Sequence, residues 1–136
     1  MGNSNADCVV ECWVKPNATS GSYWCIFAHA SSRGLFVHNN HLELWMNGVR
    51  QITAATAMSG AWQHVALSRA SGVWELWLDG VSQGTYADTN VWINSYIGTD
   101  NSSEHYAGYI DDFRMTDNHA RYTATFTPPS AAFPNS

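Results

Sequence analysis

The acidic residues best placed for work on a glycosidic bond are Glu75 and Asp79, in the run Glu75-Leu76-Trp77-Leu78-Asp79. A strand's period of two puts both on one face, with Trp77 between them. Four residues of strand separate them by roughly 13 Å. A retaining glycosidase needs its carboxyl groups about 5–5.5 Å apart, and an inverting one about 6.5–9.5 Å. The spacing exceeds both. Asp79 is better explained by the Asp79-Gly80 turn, and Glu43 is the only obvious acid on another strand that would complete a pair. No Ser-His-Asp arrangement and no phosphate-cradling glycine loop is recognisable. The spacing therefore predicts a protein that is not an enzyme.

Aromatic side chains offer a different chemistry. The chain has 7 tryptophans in 136 residues. Trp74 shares a face with Leu76 and Leu78 and reads as core. Trp13, Trp45 and Trp77 lie on the polar side of their strands, next to Glu11, Glu43 and Glu75. Indoles accept the C–H faces of sugar rings, while carboxylates and amides take the hydroxyls. The expected ligand-binding set is Trp13, Trp45, Trp77, Glu43 and Glu75, with His64 projecting beside Trp45 or Trp77. Trp92 and Tyr106, in polar loops, form a second contact set at the rim. Two readings stay open for these tryptophans. They form a saccharide platform, or they bury beneath loops or in a subunit interface.

Charge and composition exclude other classes. Net charge is −5 and only 12% of residues are charged. The six basic residues are scattered singly, so no basic stripe exists for nucleic acid. No apolar run reaches the ~18 residues of a membrane span. The first residues lack the pattern of a signal peptide. Cys8, Cys12 and Cys25 are odd in number and irregular in spacing. They read as small buried hydrophobes, with a bridge from Cys25 to Cys8 or Cys12 as the alternative. His38 and His41 flank Asn39-Asn40 but lack a third zinc ligand.

The elements that must position these residues are strands, because the period is two almost everywhere. The pattern predicts strands over 8–15, 22–29, 34–38, 41–46, 49–53, 62–69, 73–79, 81–86, 94–99 and 108–116, with 54–61 as a crossover. Asn47-Gly48, Ser71-Gly72 and Asp79-Gly80 are hairpin or turn signals. In the last strand, alternation groups Asp111 with Tyr109, Phe113 and Met115, and a carboxylate on that face needs compensation. Residues 1–136 are expected to form one domain. Residues 1–6 read as a flexible or vector-derived start, and 126–136 as a strap or linker.

Motifs fall in a recognisable order. Gly60-Ala-Trp-Gln-His-Val-Ala-Leu-Ser-Arg-Ala-Ser-Gly-Val-Trp-Glu-Leu-Trp-Leu-Asp-Gly-Val resembles the signature of laminin G-like domains of the concanavalin A-like lectin-glucanase superfamily. Val10-Glu-Cys-Trp-Val-Lys-Pro is similar to that family's first strand. Tyr96-Ile-Gly, Gly108-Tyr-Ile-Asp-Asp-Phe-Arg-Met, Ala120-Arg-Tyr-Thr and Phe126-Thr-Pro-Pro complete the pattern over roughly residues 7–134. The closing motifs look most like modules of phage tail and bacterial surface proteins.

The resemblance implies an all-β, two-sheet antiparallel jelly-roll sandwich. It makes Trp62 the structural tryptophan at a strand start. It implies a structural Ca²⁺ held by Asp111, with Asp7 as second contributor. Function is not set by such a fold. The expected function is a non-catalytic carbohydrate-binding or adhesion module of a larger surface or phage tail protein, extracellular or virion-associated. Its partner would be a polysaccharide or cell-surface glycan, and a homo-oligomer is compatible. The alternatives are a structural or oligomerising domain and, less favoured, a glycoside hydrolase.

Overall fold

The computed structural model describes residues 6–17, 23–30, 33–90, 96–102 and 104–130. Ten strands make up its regular structure, and no helix occurs among the described residues. They are β1 (Cys8–Pro16), β2 (Trp24–Ala30), β3 (Arg33–His38), β4 (His41–Met46), β5 (Val49–Thr53), β6 (Gln63–Ala70), β7 (Val73–Leu78), β8 (Val81–Ala87), β9 (Tyr96–Ile97) and β10 (Gly108–Asp117). They form two five-stranded antiparallel sheets, β10-β1-β6-β7-β8 (sheet A) and β5-β4-β3-β2-β9 (sheet B). Every expected strand is present. The described part of the strand expected over 94–99 begins at Tyr96.

Turn chemistry fixes the register. Asn39-Asn40, Asn47-Gly48, Ser71-Gly72 and Asp79-Gly80 all have positive φ at both central residues. That is the twist-matched hairpin geometry for which Asn, Asp and Gly are suited. The Asp79 carboxylate also accepts the His64 main-chain N–H and the Gln63 side-chain amide, each at 2.8 Å. It pins the start of β6 to the end of β7, in keeping with a turn role.

The inward faces make the main core. Val10, Cys12 and Val14 from β1 meet Val65, Leu67, Trp74, Leu76 and Leu78 of the same sheet. Opposite them lie Ile26, Phe27, Leu35, Val37, Leu42, Leu44 and Met46 of sheet B. Alternation on a half-buried strand produces this one-sided burial. The crossover between the sheets also contributes, through buried Ala54 and Met58. All three cysteines are free and buried. Cys25 lies on the outer face of sheet B with Phe36, whereas Cys8 and Cys12 lie between the sheets. The sheet therefore separates Cys25 from the other two.

Each outer face carries a smaller apolar cluster. On sheet A, Val9, Ala66 and Trp77 are covered by Tyr122 and Phe126 of the segment that follows β10, residues 118–130, which forms a strap longer than the expected 126–136. On sheet B, Cys25, Ala28 and Phe36 pack with Tyr23, Trp45 and Tyr96.

One expectation about faces is corrected at β10. The β1–β10 register shifts between Glu11↔Arg114 and Trp13↔Asp111, and Asp112 has φ of 49°. This bulge resets the alternation. Phe113 joins Ile110 in the main core, while Asp111 is exposed. The bulge, rather than a counter-charge, removes the conflict of a carboxylate on an apolar face.

Trp62 stands at the start of β6, where the resemblance implies it. It is 44% exposed, with its ring 6.3 Å from that of Tyr109. It does not enter the core.

Candidate functional site

The sheets divide the three polar-face tryptophans. Trp13 and Trp77 belong to sheet A, and Trp45 belongs to sheet B. All three face away from the main core, but on opposite sides of the sandwich, so no common platform forms.

Trp77 is buried, with 1% of its surface exposed. Its indole N–H donates to Ser68 Oγ at 2.9 Å, and Ser68 Oγ lies 3.0 Å from the Tyr122 carbonyl, to which it donates. Phe126 packs edge-on against Trp77 and stacks face-to-face with Tyr122 at 3.6 Å. The strap thus occupies the surface on which a sugar was expected. The expectation of an open Trp77 is corrected for that reason.

His64 is fully buried beside Trp13, Tyr122 and Phe126, and is remote from Trp45. Its Nε2 lies 3.1 Å from Glu11 Oε1. Glu11 also accepts from Tyr122 OH at 2.6 Å and Arg114 Nη2 at 3.1 Å. Burial pushes the Glu11 carboxyl up, but bonds from His64, Tyr122 and Arg114 outweigh it and hold its pKa below the ordinary value. Glu75 accepts a hydrogen bond from Ser82 Oγ at 2.7 Å on the same sheet. It stands with neither Glu43 nor Trp45, so the two acids form no pair.

The outer face of sheet B is different. An open cleft of about 160 Å³ is lined by Tyr23, Phe36, Trp45, Asp100 and Glu104. Trp45 and Phe36 come from the outward positions of adjacent strands, β4 and β3. Tyr23 immediately precedes β2. Its ring is nearly perpendicular to both, at 88° to Phe36 and 87° to Trp45, with centroids 6.3 and 5.7 Å away. Edge-to-face packing of this kind holds rings in fixed orientations.

Glu43 organises the cleft from beneath. It is only 2% exposed, so it does not itself present a carboxylate to a ligand as expected. Its Oε2 accepts the Trp45 indole N–H at 3.0 Å. Its Oε1 lies 3.2 Å from Arg50 and 3.1 Å from His38 Nδ1. His38 in turn stacks on Tyr23 with ring centroids 3.8 Å apart. One buried carboxylate therefore positions both half-buried rings, Trp45 directly and Tyr23 through His38. Gly34 completes the floor. A Cβ there would lie 2.9 Å from Phe36 Cε2, so the glycine makes room for that ring.

The acidic wall is the loop from Asp100 to Glu104, closed by a bridge between Thr99 and His105. Asp100 Oδ1 accepts the Ser102 N–H at 2.9 Å and the Glu104 N–H at 3.3 Å. Ser102 Oγ lies 2.8 Å from Asp100 Oδ2 and 2.9 Å from Glu104 Oε2. Burial pushes the Asp100 carboxyl up, yet the bonds from Ser102 and Glu104 prevail and hold its pKa below the usual range. Beneath the loop, burial pushes the Cys25 thiol upward, and the charges of Asp100 and Glu104 add to the shift.

The remaining expected site residues lie elsewhere. Tyr106 packs against the main core with its hydroxyl buried, so it makes no rim contact. Trp92 lies outside the described residues. Asp111 Oδ1 accepts the Asp112 N–H at 2.8 Å, and Asp7 Oδ1 accepts the Ser71 N–H at 2.8 Å. Trp13 is the register partner of Asp111. Asp7 is six residues from Trp13 along the chain, roughly 20 Å of extended strand. One ion does not reach both. No group of three or more His, Cys, Asp or Glu side chains able to hold a metal occurs among the described residues.

Tyr23, Phe36, Asp100 and Glu104 were not singled out from sequence. Phe36 and Tyr23 sit in apolar runs that read as core, and the acidic pair sits in a polar loop with no strand-like pattern.

Comparisons with known proteins agree with this architecture. A candidate carbohydrate-binding protein from Bacteroides ovatus superposes with a TM-score of 0.72 at 15% identity, over 89% of this chain and 40% of that one. Domain 4 of the extracellular arabinanase AbnA from Geobacillus stearothermophilus, solved with arabinotriose, gives 0.60 at 18% identity, over 85% of this chain and 62% of that one. The LG1-3 region of the laminin α2 chain gives 0.65 at 11% identity, over 85% and 23%. The chain thus spans less than two thirds of each of these proteins. Among curated proteins, no sequence matches the chain. The family model described as the concanavalin A-like lectin/glucanases superfamily, of laminin G type, matches residues 2–121, and the chain belongs to that family.

Proposed function

We propose that this protein is a non-catalytic carbohydrate-binding module whose ligand sits in the sheet B cleft. The observation that carries the reading is the set of rings Tyr23, Phe36 and Trp45 facing two carboxylates in one open cleft. Rings take the apolar face of a sugar, and the half-buried Glu104 takes a hydroxyl, while Asp100, only 3% exposed, holds the loop in place. The cleft is small beside the ~300–1,000 Å³ of a drug-sized pocket, so it suits one sugar unit or a chain end.

The acids support binding rather than hydrolysis. A glycosidase's carboxyl groups flank the scissile bond, and its general acid has a raised pKa. Asp100 and Glu104 lie on one loop and share contact with one hydroxyl, and the Asp100 pKa is lowered. Titration calorimetry against a panel of oligosaccharides tests the reading. Trp45→Ala and Tyr23→Ala are expected to weaken binding at least about tenfold, equivalent to about 1.4 kcal/mol, while the fold is kept. Unchanged affinity in both variants, or no glycan bound by the wild type, would overturn it.

A second reading, a structural or oligomerising domain, rests on a separate surface. Tyr109 on edge strand β10 is 59% exposed and touches exposed Trp62. An apolar pair on an open edge suits a protein interface. Light scattering that shows a concentration-independent oligomer, lost in Trp62→Ser, would favour it. In either case the module would serve an extracellular or virion-associated surface protein, with a phage tail among the settings.

A Ca²⁺ at Asp111 is retained in reduced form. The ion would take its other oxygens from main-chain carbonyls and water, without Asp7.

A further inference from the structure

We infer that the sheet B cleft selects sugars with a ring substituent ending in a methyl group over counterparts whose substituent ends in a hydroxyl. The inference rests on the carbohydrate-binding reading above and specifies the ligand. Trp45 and Tyr23 both line the cleft, with their planes at 87° and their centroids 5.7 Å apart. A pyranose is roughly flat, apolar on its faces and polar around its rim. It can lie against one of two perpendicular rings, but not against both. The other ring then meets its rim. A hydroxyl pressed there gives up its hydrogen bonds to water and gains none from an aromatic face, whereas a methyl group gives up nothing.

The corner is held in shape and lined with carbon. The Trp45 indole N–H is spent on Glu43, at 3.0 Å. Tyr23 stacks on His38 at 3.8 Å, with the planes within 12°, so turning parallel to Trp45 would break that contact. Phe36, buried and at 88° to Tyr23, closes the bottom, in one apolar cluster with Cys25 and Ala28. The acidic lining residues, Asp100 and Glu104, belong to the loop and not to this floor. Two kinds of sugar carry such a methyl group, the 6-deoxyhexoses on C5 and the N-acetylated hexosamines on their amide.

Titration calorimetry of the full chain against matched pairs decides the matter. L-Fucose against L-galactose and L-rhamnose against L-mannose differ only by the oxygen on C6. N-Acetylglucosamine against glucose tests the acetyl methyl. The wild type is expected to bind the methyl-bearing member of at least one kind of pair about tenfold more tightly, the scale of one such group in an apolar pocket. A preference in the first two pairs alone identifies a 6-deoxyhexose, and in the third alone an N-acetylated sugar. Tyr23→Ala opens the corner and should bring the ratio within that pair toward one. Trp45→Ala removes the other wall and should do the same, so the test stands if one variant misfolds. Tyr109→Ala removes an exposed ring from sheet A and should keep the ratio.

Equal affinity within all three pairs overturns the inference and leaves the carbohydrate reading standing. So does binding only of oligosaccharides that carry no methyl group. A ratio unchanged in folded Tyr23→Ala and Trp45→Ala, or lost in Tyr109→Ala, places the methyl contact elsewhere and also overturns it. Failure to bind any glycan removes both readings together.

Discussion

The buried carboxylate of Glu43 accepts, at 3.0 Å, the indole N–H of Trp45, two positions later on the same strand. This bond fixes the ring plane of the one sequence-expected tryptophan that lines the cleft. Glu43 is thus a positioning residue.

Glu43→Ala is expected to leave the Trp45 N–H and the Arg50 guanidinium without their buried partner. A loss of about 1–3 kcal/mol of stability is the scale of such a deletion. The distinguishing readout is Trp45 fluorescence anisotropy in the folded state. It should fall, with weaker glycan binding, whereas a purely structural role would lower only the denaturation midpoint.

Gly34→Ala tests the floor. The new methyl group meets Phe36 Cε2 and also lies 3.1 Å from the Phe27 carbonyl oxygen. The ring must shift into the cleft. Binding should fall several-fold, at a stability cost of about 1–3 kcal/mol typical of overpacking. Equal affinity in calorimetry would show that Phe36 does not shape the bound state.

Glu11 makes the sheet A face acid-sensitive. Its folded-state pKa is lowered from an ordinary value of 4.5. The stability it contributes is therefore fully present above that ordinary value. It is lost as the pH falls through the lower folded value. In Glu11→Gln, the acid limb of the stability–pH curve should flatten over that window. An unchanged limb in denaturant titrations would assign the acid sensitivity elsewhere. Glu11→Ala should cost more, about 3–5 kcal/mol, because Arg114 loses a buried counter-charge.

Gly80→Ala tests the strap. Gly80 has φ of +80°, and a Cβ there would collide with the Phe126 carbonyl oxygen. The Phe126 N–H also donates to the Gly80 carbonyl at 3.0 Å. The substitution should detach the strap, uncover Trp77 and speed proteolysis between residues 118 and 128. Wild-type quenching of tryptophan fluorescence by acrylamide would show the strap still in place.

Thiol labelling offers a check on the core. Burial raises the Cys8 thiol pKa to about 11 and pushes Cys12 higher still. Thiols with so little thiolate react slowly. Labelling at neutral pH should track global unfolding. A fast-reacting cysteine in the native state would contradict the burial.

The strands and the hairpin turns were legible in the sequence, because alternation and Asn-Gly or Asp-Gly pairs are local signals. The fate of the outward tryptophans was not. Trp45 and Trp77 share the same local context, a glutamate two positions before, an outward face and apolar neighbours. What separates them is distant in sequence. Tyr122 and Phe126 fold back over Trp77, and nothing comparable among the described residues covers Trp45. Alternation also failed at β10, where one bulge residue, Asp112, moved Phe113 inward. The acidic wall at Asp100 and Glu104 carried no periodic signal, and it is the pairing of β9 with β2, with the Gly98 N–H donating to the Ile26 carbonyl, that brings it to sheet B.

The strap closes sheet A's outer face, while the cleft opens on sheet B's. With the first face covered, the described residues of this module offer one proposed contact of about one sugar unit. On the carbohydrate-binding proposal, valency would come from repetition, through copies of the module displayed together on one surface. The gain in avidity would depend on their spacing rather than on the strength of any one cleft.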